Sequence, residues 1–143
     1  MRLEGSCQCG AVRFQLESPH PYPYQRCYCS ICRKTQGGGG YAINLGGDNA
    51  SLRVQGRQHV TVYHARLKNP EDARAHRSPA ERHFCGTCGT QIMVQSDALG
   101  VASVNAMTFD DPSAFRPEIA YFGDSAPKWC EVDQRLTAFG DAE

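Results

Sequence analysis

The amino-acid sequence predicts a mostly-β single domain with long loops, and three observations carry that expectation. Short stretches of alternating or β-branched residues outnumber any helical periodicity. Glycines and prolines punctuate them at turn-like intervals. Eight cysteines fall into tight groups whose spacings suit metal ligands, which would pin loops that a small core leaves loose.

Taken in order, AVRFQLE (11–17), YAINL (41–45), HVTVYHA (59–65), TQIMVQ (90–95) and GVASVNA (100–106) read as short strands. In the third, Val60, Val62 and His64 share one face, with Thr61 and Tyr63 on the other. The run GGDN (46–49) and Gly56 read as turns. SPHPYPY (18–24) has three prolines in five residues and must be an extended connector. The charged, proline-bounded LKNPEDARAHRSPAE (67–81) reads as a surface loop, with at most one helical turn near Pro70. The stretch from Asp110 to Trp129 is loop-rich, with one strand at 119–122. No repeat or linker divides the chain, so residues 1–143 form one domain.

At 143 residues the chain is long enough for a core of its own. Fifteen basic and fifteen acidic residues cancel, so no overall field steers it toward nucleic acid or anionic lipid. No segment reaches the ~20 apolar residues that span a bilayer. The polar start MRLEGSCQCG lacks the apolar core of a signal peptide. The expectation is a cytoplasmic protein in a reducing compartment, where cysteines serve as metal ligands or catalytic groups rather than disulfides.

The cysteines group as Cys7 with Cys9, Cys27 with Cys29 and Cys32, Cys85 with Cys88, and Cys130 alone. FCGTCGT (84–90) is a CxxCG knuckle whose spacing turns both sulfurs toward one point, and SCQCG (6–10) is a tighter CxC pair. Together they supply the four thiolates of a closed structural zinc site that ties the N-terminus to the middle of the chain. The CxCxxC trio, read as one loop, supplies three ligands for a second zinc, giving two zincs per chain. Three protein ligands leave a fourth position open, as catalytic zinc sites do. Cys130 is the one remaining thiol that would close it, and both outcomes stand at this level.

The ordered set GSCQCGAVRFQLE, CYCSICRKTQGGGG, FCGTCGTQI and VASVNAMTFDDPSAFRPEIAYFGDSAPKW, from Gly5 to Trp129, resembles the glutathione-dependent formaldehyde-activating enzyme family, also called the centromere protein V family. The resemblance implies a mostly-β, Mss4-like fold. It implies a structural zinc on Cys7, Cys9, Cys85 and Cys88 and a second zinc on Cys27, Cys29 and Cys32. The activity it implies is the condensation of glutathione with formaldehyde to S-(hydroxymethyl)glutathione, a carbon–sulfur lyase or synthase reaction. Tyr28 stands where members of the family commonly carry His, and a phenol is no base at neutral pH.

The chemistry fits the residues. A free thiol with a pKa near ~8.5 is scarcely ionised at neutral pH, and a zinc ion deprotonates a thiol that coordinates it. Arg33 and Lys34 would offset the charge of three thiolates and grip a substrate carboxylate. Gly37 and Gly38 would let a peptide-like thiol lie against bare backbone. The expected partners are therefore a small thiol of the glutathione type and an aldehyde, with no membrane and no nucleic acid. Two other readings remain: a non-catalytic zinc-held binding module, and a thiolate–zinc redox sensor.

The five histidines show no zinc spacing. His59 and His64 lie on opposite faces of one strand, His83 stands beside the knuckle, and His20 and His76 lie in loops. Phe109, Phe115 and Trp129 read as core or loop anchors.

Overall fold

Alternation sets the first layer. β1 (Arg2–Ser6) and β2 (Arg13–Glu17) pair antiparallel residue for residue, burying Leu3, Phe14 and Leu16, and β5 (Arg53–Gln55) completes a three-stranded sheet. The computed structural model describes residues 1–19, 24–68, 71–72, 74–113 and 116–140. Residues 20–23 of the proline-rich connector, His20 among them, lie outside these, as does Phe115. No helix among the described residues is long and apolar enough to cross a membrane.

The second layer is an eight-stranded sheet. It contains β3 (Tyr24–Cys27), β4 (Ala42–Asp48), β6 (Val60–Tyr63), β9 (Glu81–Cys85), β10 (Gln91–Ser96), β11 (Val101–Asn105), β12 (Ile119–Tyr121) and β13 (Thr137–Phe139). Its order is β13-β12-β3-β4-β11-β10-β9-β6, antiparallel except where β12 runs parallel to β3 and β13. A hairpin of β7 (Arg66–Lys68) and β8 (Ala75–Arg77) stands apart. The mostly-β, single-domain expectation holds.

Register decides what each face carries. Tyr24, Leu45, Val104, Met93 and His83 are successive cross-strand partners and share one face. With Phe14, Leu16, Val12 and Ile92 from around them they form the main core. Burial of each such aliphatic side chain contributes about 1.5–3 kcal/mol, which sets the scale of the force joining the two sheets. The opposite face carries Cys27, Ala42, Asn44, Asn105, Val94 and Arg82, and one short helix, α1 (Ser30–Gln36), lies over it. One face of the large sheet is thus an apolar core and the other a polar bed for a helix.

Four expectations are corrected. Gly46 and Gly47 lie inside β4 rather than in a turn: Gly47 carries no side chain because a methyl group there would collide with Leu16, and the Ser18 hydroxyl donates to Gly46 O. The turn falls later, at Asn49–Ser51, capped by Asp48. Within 67–81, residues 67–68 and 75–77 belong to the β7–β8 hairpin and Glu81 starts β9 rather than all lying in a surface loop, while Pro70, the place of the expected helical turn, lies outside the described residues. His59 and His64 flank β6 instead of lying on it. Trp129 is 74% exposed and lies outside the core, whereas Phe109 is buried against Phe14 as expected.

Because β2 seats directly on Gly47, Gly47→Ala overpacks the contact between the layers. We expect a loss of about 1–3 kcal/mol in urea unfolding of the metal-loaded protein. Unchanged stability would show that the two sheets do not approach this closely.

Candidate metal centre

Two knuckles of the same shape meet to build the first cluster. After β1, the Cys7 N–H donates to Val12 O at 3.0 Å and the Gly10 N–H to Cys7 O at 3.2 Å. After β9, the Cys85 N–H donates to Thr90 O at 2.9 Å and the Gly89 N–H to Cys85 O at 2.8 Å. Gly10 and Gly89 both have φ of 80°, the left-handed value that each turn needs and that a side chain resists. The Gln8 N–H donates to the Thr90 hydroxyl at 3.1 Å, locking one knuckle to the other.

The four sulfurs of Cys7, Cys9, Cys85 and Cys88 lie within 4.8 Å of one another, Cys7–Cys9 at 3.6 Å and Cys9–Cys85 at 3.9 Å. A tetrahedron with metal–sulfur bonds of about 2.3 Å has sulfur–sulfur edges of roughly 3.8 Å. The donor set and its spacing therefore fit a zinc-like ion. Cys7 and Cys85 are buried in the main core, while Cys9 and Cys88 face outward. Hydrogen bonds from the Thr90 hydroxyl and backbone bring the Cys88 thiol down to about 5.

The second cluster lies on the opposite face of the large sheet. Cys27 ends β3, Cys29 caps α1, and Cys32 is the buried residue within that helix. The trio is thus a strand–helix junction and not a loop, a correction with a local cause. The Cys29 sulfur accepts the Cys32 N–H at 3.3 Å, as an N-cap does, and the Gly37 N–H closes the far end on Arg33 O at 3.1 Å. The three sulfurs lie within 4.8 Å of one another and are 3%, 9% and 6% exposed. Tyr121 and Phe122 pack against them. Phe122 holds a left-handed φ of 56°, a strained backbone at the wall of the site.

Three thiols this close cannot titrate alike. Hydrogen bonds from Cys27 and Cys32 hold the Cys29 thiol far below its ordinary value, and the same contacts, with burial, push Cys27 far above it. Three buried sulfurs converging on one point are a donor set that would suit a divalent cation. Among the described residues, no fourth Cys, His, Asp or Glu ligand atom joins the trio within 4.8 Å. The Cys130 thiol faces Gly39 O at 3.8 Å.

Other residues named from the sequence fall as follows. Arg33 Nε donates to Tyr28 O at 2.8 Å. Lys34 is exposed in the last turn of α1. Gly37 abuts the Arg33 backbone so closely that a methyl group would clash, whereas Gly38 is open to solvent. Tyr28 is fully buried, and its ring packs on Tyr41 at 5.3 Å. Its hydroxyl lies near Arg26 and has no hydrogen-bond partner. His83 sits in the core with Nε2 3.7 Å from Glu81, too far for a hydrogen bond, and touches no sulfur.

Sequence reasoning missed Arg82. It is 9% exposed, and its guanidinium reaches Cys32 Sγ at 3.8 Å and the Thr35 hydroxyl at 3.2 Å. A strand reading of ERHFC (81–85) would have placed Arg82 and Cys85 on opposite faces, one for each cluster. Cavity size is no guide here: a cavity of about 510 Å³ between Leu3, Tyr24, Phe109 and Asp110 has no cysteine in its wall.

The two clusters should respond differently to loss of one sulfur. Cys85→Ser should abolish one metal equivalent and lower the melting temperature steeply, because a buried closed cluster joins the N-terminus to β9. Cys29→Ser should abolish the other equivalent and leave the domain folded. Metal analysis with circular dichroism checks both, and a Cys29→Ser protein that unfolds would overturn the distinction.

With this geometry in view, comparison with known proteins is informative. The model of the glutathione-dependent formaldehyde-activating enzyme family matches residues 2–125. A Halomonas elongata protein with the provisional name glutathione-dependent formaldehyde-activating enzyme is 46% identical over 139 residues, spanning 94% of this chain and 83% of that one. A crystal structure of a Rhodobacter sphaeroides protein is 27% identical with a TM-score of 0.58, covering 82% of this chain and 98% of that chain. On a match that runs through both cysteine clusters, the chain belongs to the glutathione-dependent formaldehyde-activating enzyme family.

Proposed function

We propose that the protein is a zinc-dependent carbon–sulfur lyase or synthase that joins a small thiol to formaldehyde, glutathione being the type thiol. The observation that carries this reading is the incomplete donor set of the trio: three buried sulfurs converge, and no fourth ligand atom among the described residues joins them. A zinc held by Cys27, Cys29 and Cys32 would supply one chemistry, lowering the pKa of an incoming thiol so that its sulfur is nucleophilic at neutral pH.

The chain's own residues do the rest. The sulfurs lie under α1 with Tyr121 and Phe122 beside them, which keeps bulk water from the thiolates and strengthens electrostatic contacts there. Arg82 contributes a fixed positive charge beside Cys32. Lys34, two residues beyond Cys32 on the exposed side of α1, would meet a substrate carboxylate from solvent, and Gly38 offers exposed backbone past the end of that helix. Arg33 supports the site from behind by holding the Tyr28 carbonyl. Tyr28, turned toward Arg26 and Tyr41, takes no part in proton transfer at the sulfurs.

The family and the relative's name support the reaction class. Eight free cysteines suit a reducing cytoplasm. A purely structural role for both clusters would need a fourth ligand at the trio, and the placement of Cys130 by Gly39 does not favour one.

Exchange NMR tests the reaction. Zinc-loaded protein should accelerate interconversion of formaldehyde and glutathione with their hydroxymethyl adduct, and Cys29→Ser should reduce the rate to the uncatalysed one. No acceleration by protein carrying two zincs would remove the named reaction while leaving the fold intact.

A further inference from the structure

β9 serves both clusters from opposite faces, and its residue on the trio side is a buried cation. Arg82 is 9% exposed, yet among the described residues its guanidinium pairs with no carboxylate. A buried charge without a counter-charge costs several kcal/mol, so an arginine retained in such a place has a counter-ion. Its polar contacts are Cys32 Sγ at 3.8 Å and the Thr35 hydroxyl at 3.2 Å. The Thr35 hydroxyl in turn donates to Ile31 O at 2.8 Å, so the guanidinium is oriented by the same helix that holds Cys29 and Cys32.

We propose that Arg82 is the counter-ion of the trio. A divalent metal on three thiolates carries one net negative charge, and the adjacent guanidinium brings the local sum to zero. That has two consequences: the site holds its metal more tightly than three thiolates alone would, and its remaining position admits an anionic sulfur donor without like-charge repulsion. The second consequence rests on the thiol reading given above; the first does not. Arg82 is a positioning residue in this account, acting on the metal and the incoming donor through Cys32 and through its fixed charge. The arginine fork matters as well as the charge, since one N–H faces sulfur while another holds Thr35.

Cobalt substitution tests this without reference to catalysis, because thiolate-to-cobalt absorption reports each site directly. The protein is titrated with a competing chelator as wild type, Arg82→Gln, Arg82→Met and Arg82→Lys, with the four-cysteine cluster as an internal control for folding. Loss of the charge in Arg82→Gln and Arg82→Met should weaken cobalt at the trio by about 10–100-fold and shift its absorption. The closed cluster should be unaffected, and Arg82→Lys should recover most of the affinity. If one neutral variant fails to fold, the other still carries the comparison with Arg82→Lys. Equal trio affinity in a folded neutral variant would overturn the proposal, and so would a lysine variant as weak as the neutral ones. Adding 2-mercaptoethanol separates the two readings: a spectral change in wild type that is lost in Arg82→Gln supports the admission of an anionic sulfur. No change in wild type sinks the thiol reading and leaves the metal-affinity result to judge Arg82 alone.

Discussion

Sulfur crowding is the constraint on which the rest of this structure depends. Seven of eight thiols are gathered into two clusters, each with sulfurs within 4.8 Å of one another, and most of those sulfurs are buried. No ordinary packing preference assembles such groups, because buried thiols this close compete for protons and repel once ionised. A cation at each centre would turn that cost into cohesion. The knuckle turns at Gly10 and Gly89, the cap at Cys29 and the burial of Cys85 are all arrangements that bring sulfur to a point.

The eight-stranded sheet separates the two centres and gives them different surroundings. On its core side, Cys7 and Cys85 share the apolar cluster of Leu16, Met93 and Val104, so a metal there would tie chain segments 76 or more residues apart. On the other side, the trio lies at one short helix over a polar bed of Asn44 and Arg82, with Thr35 of that helix held by Arg82. A closed set of four ligands in a core fits a fastening role. An incomplete set under a helix with a buried cation fits a site that exchanges a ligand.

Much of this was legible in the sequence, and for identifiable reasons. CxC and CxxCG spacings constrain geometry over a few residues, so the partition of the cysteines into four and three is the one the structure brings together. Strands with clean alternation, β2, β10 and β11, were found in place. The misses share a cause: they depend on long-range contacts. Gly46 and Gly47 look like a turn unless one knows that Leu16 packs on Gly47 and that the Ser18 hydroxyl donates to Gly46 O. Arg82 looks like an ordinary strand residue until α1 is laid over its face. α1 itself was hidden because seven residues show too little periodicity, and its cap is a cysteine rather than one of the usual capping residues. Trp129 was misjudged from its size alone.

The central claim is that one centre is closed by four sulfurs and the other is left open with three. Zinc-edge X-ray absorption of the protein carrying two zincs addresses it most directly, by counting sulfur neighbours. The account predicts an average of about 3.5 sulfurs per zinc at roughly 2.3 Å, with a lighter scatterer making up the remainder. Four sulfurs per zinc throughout would contradict it, since the second centre would then be closed and the case for chemistry at the trio would fall.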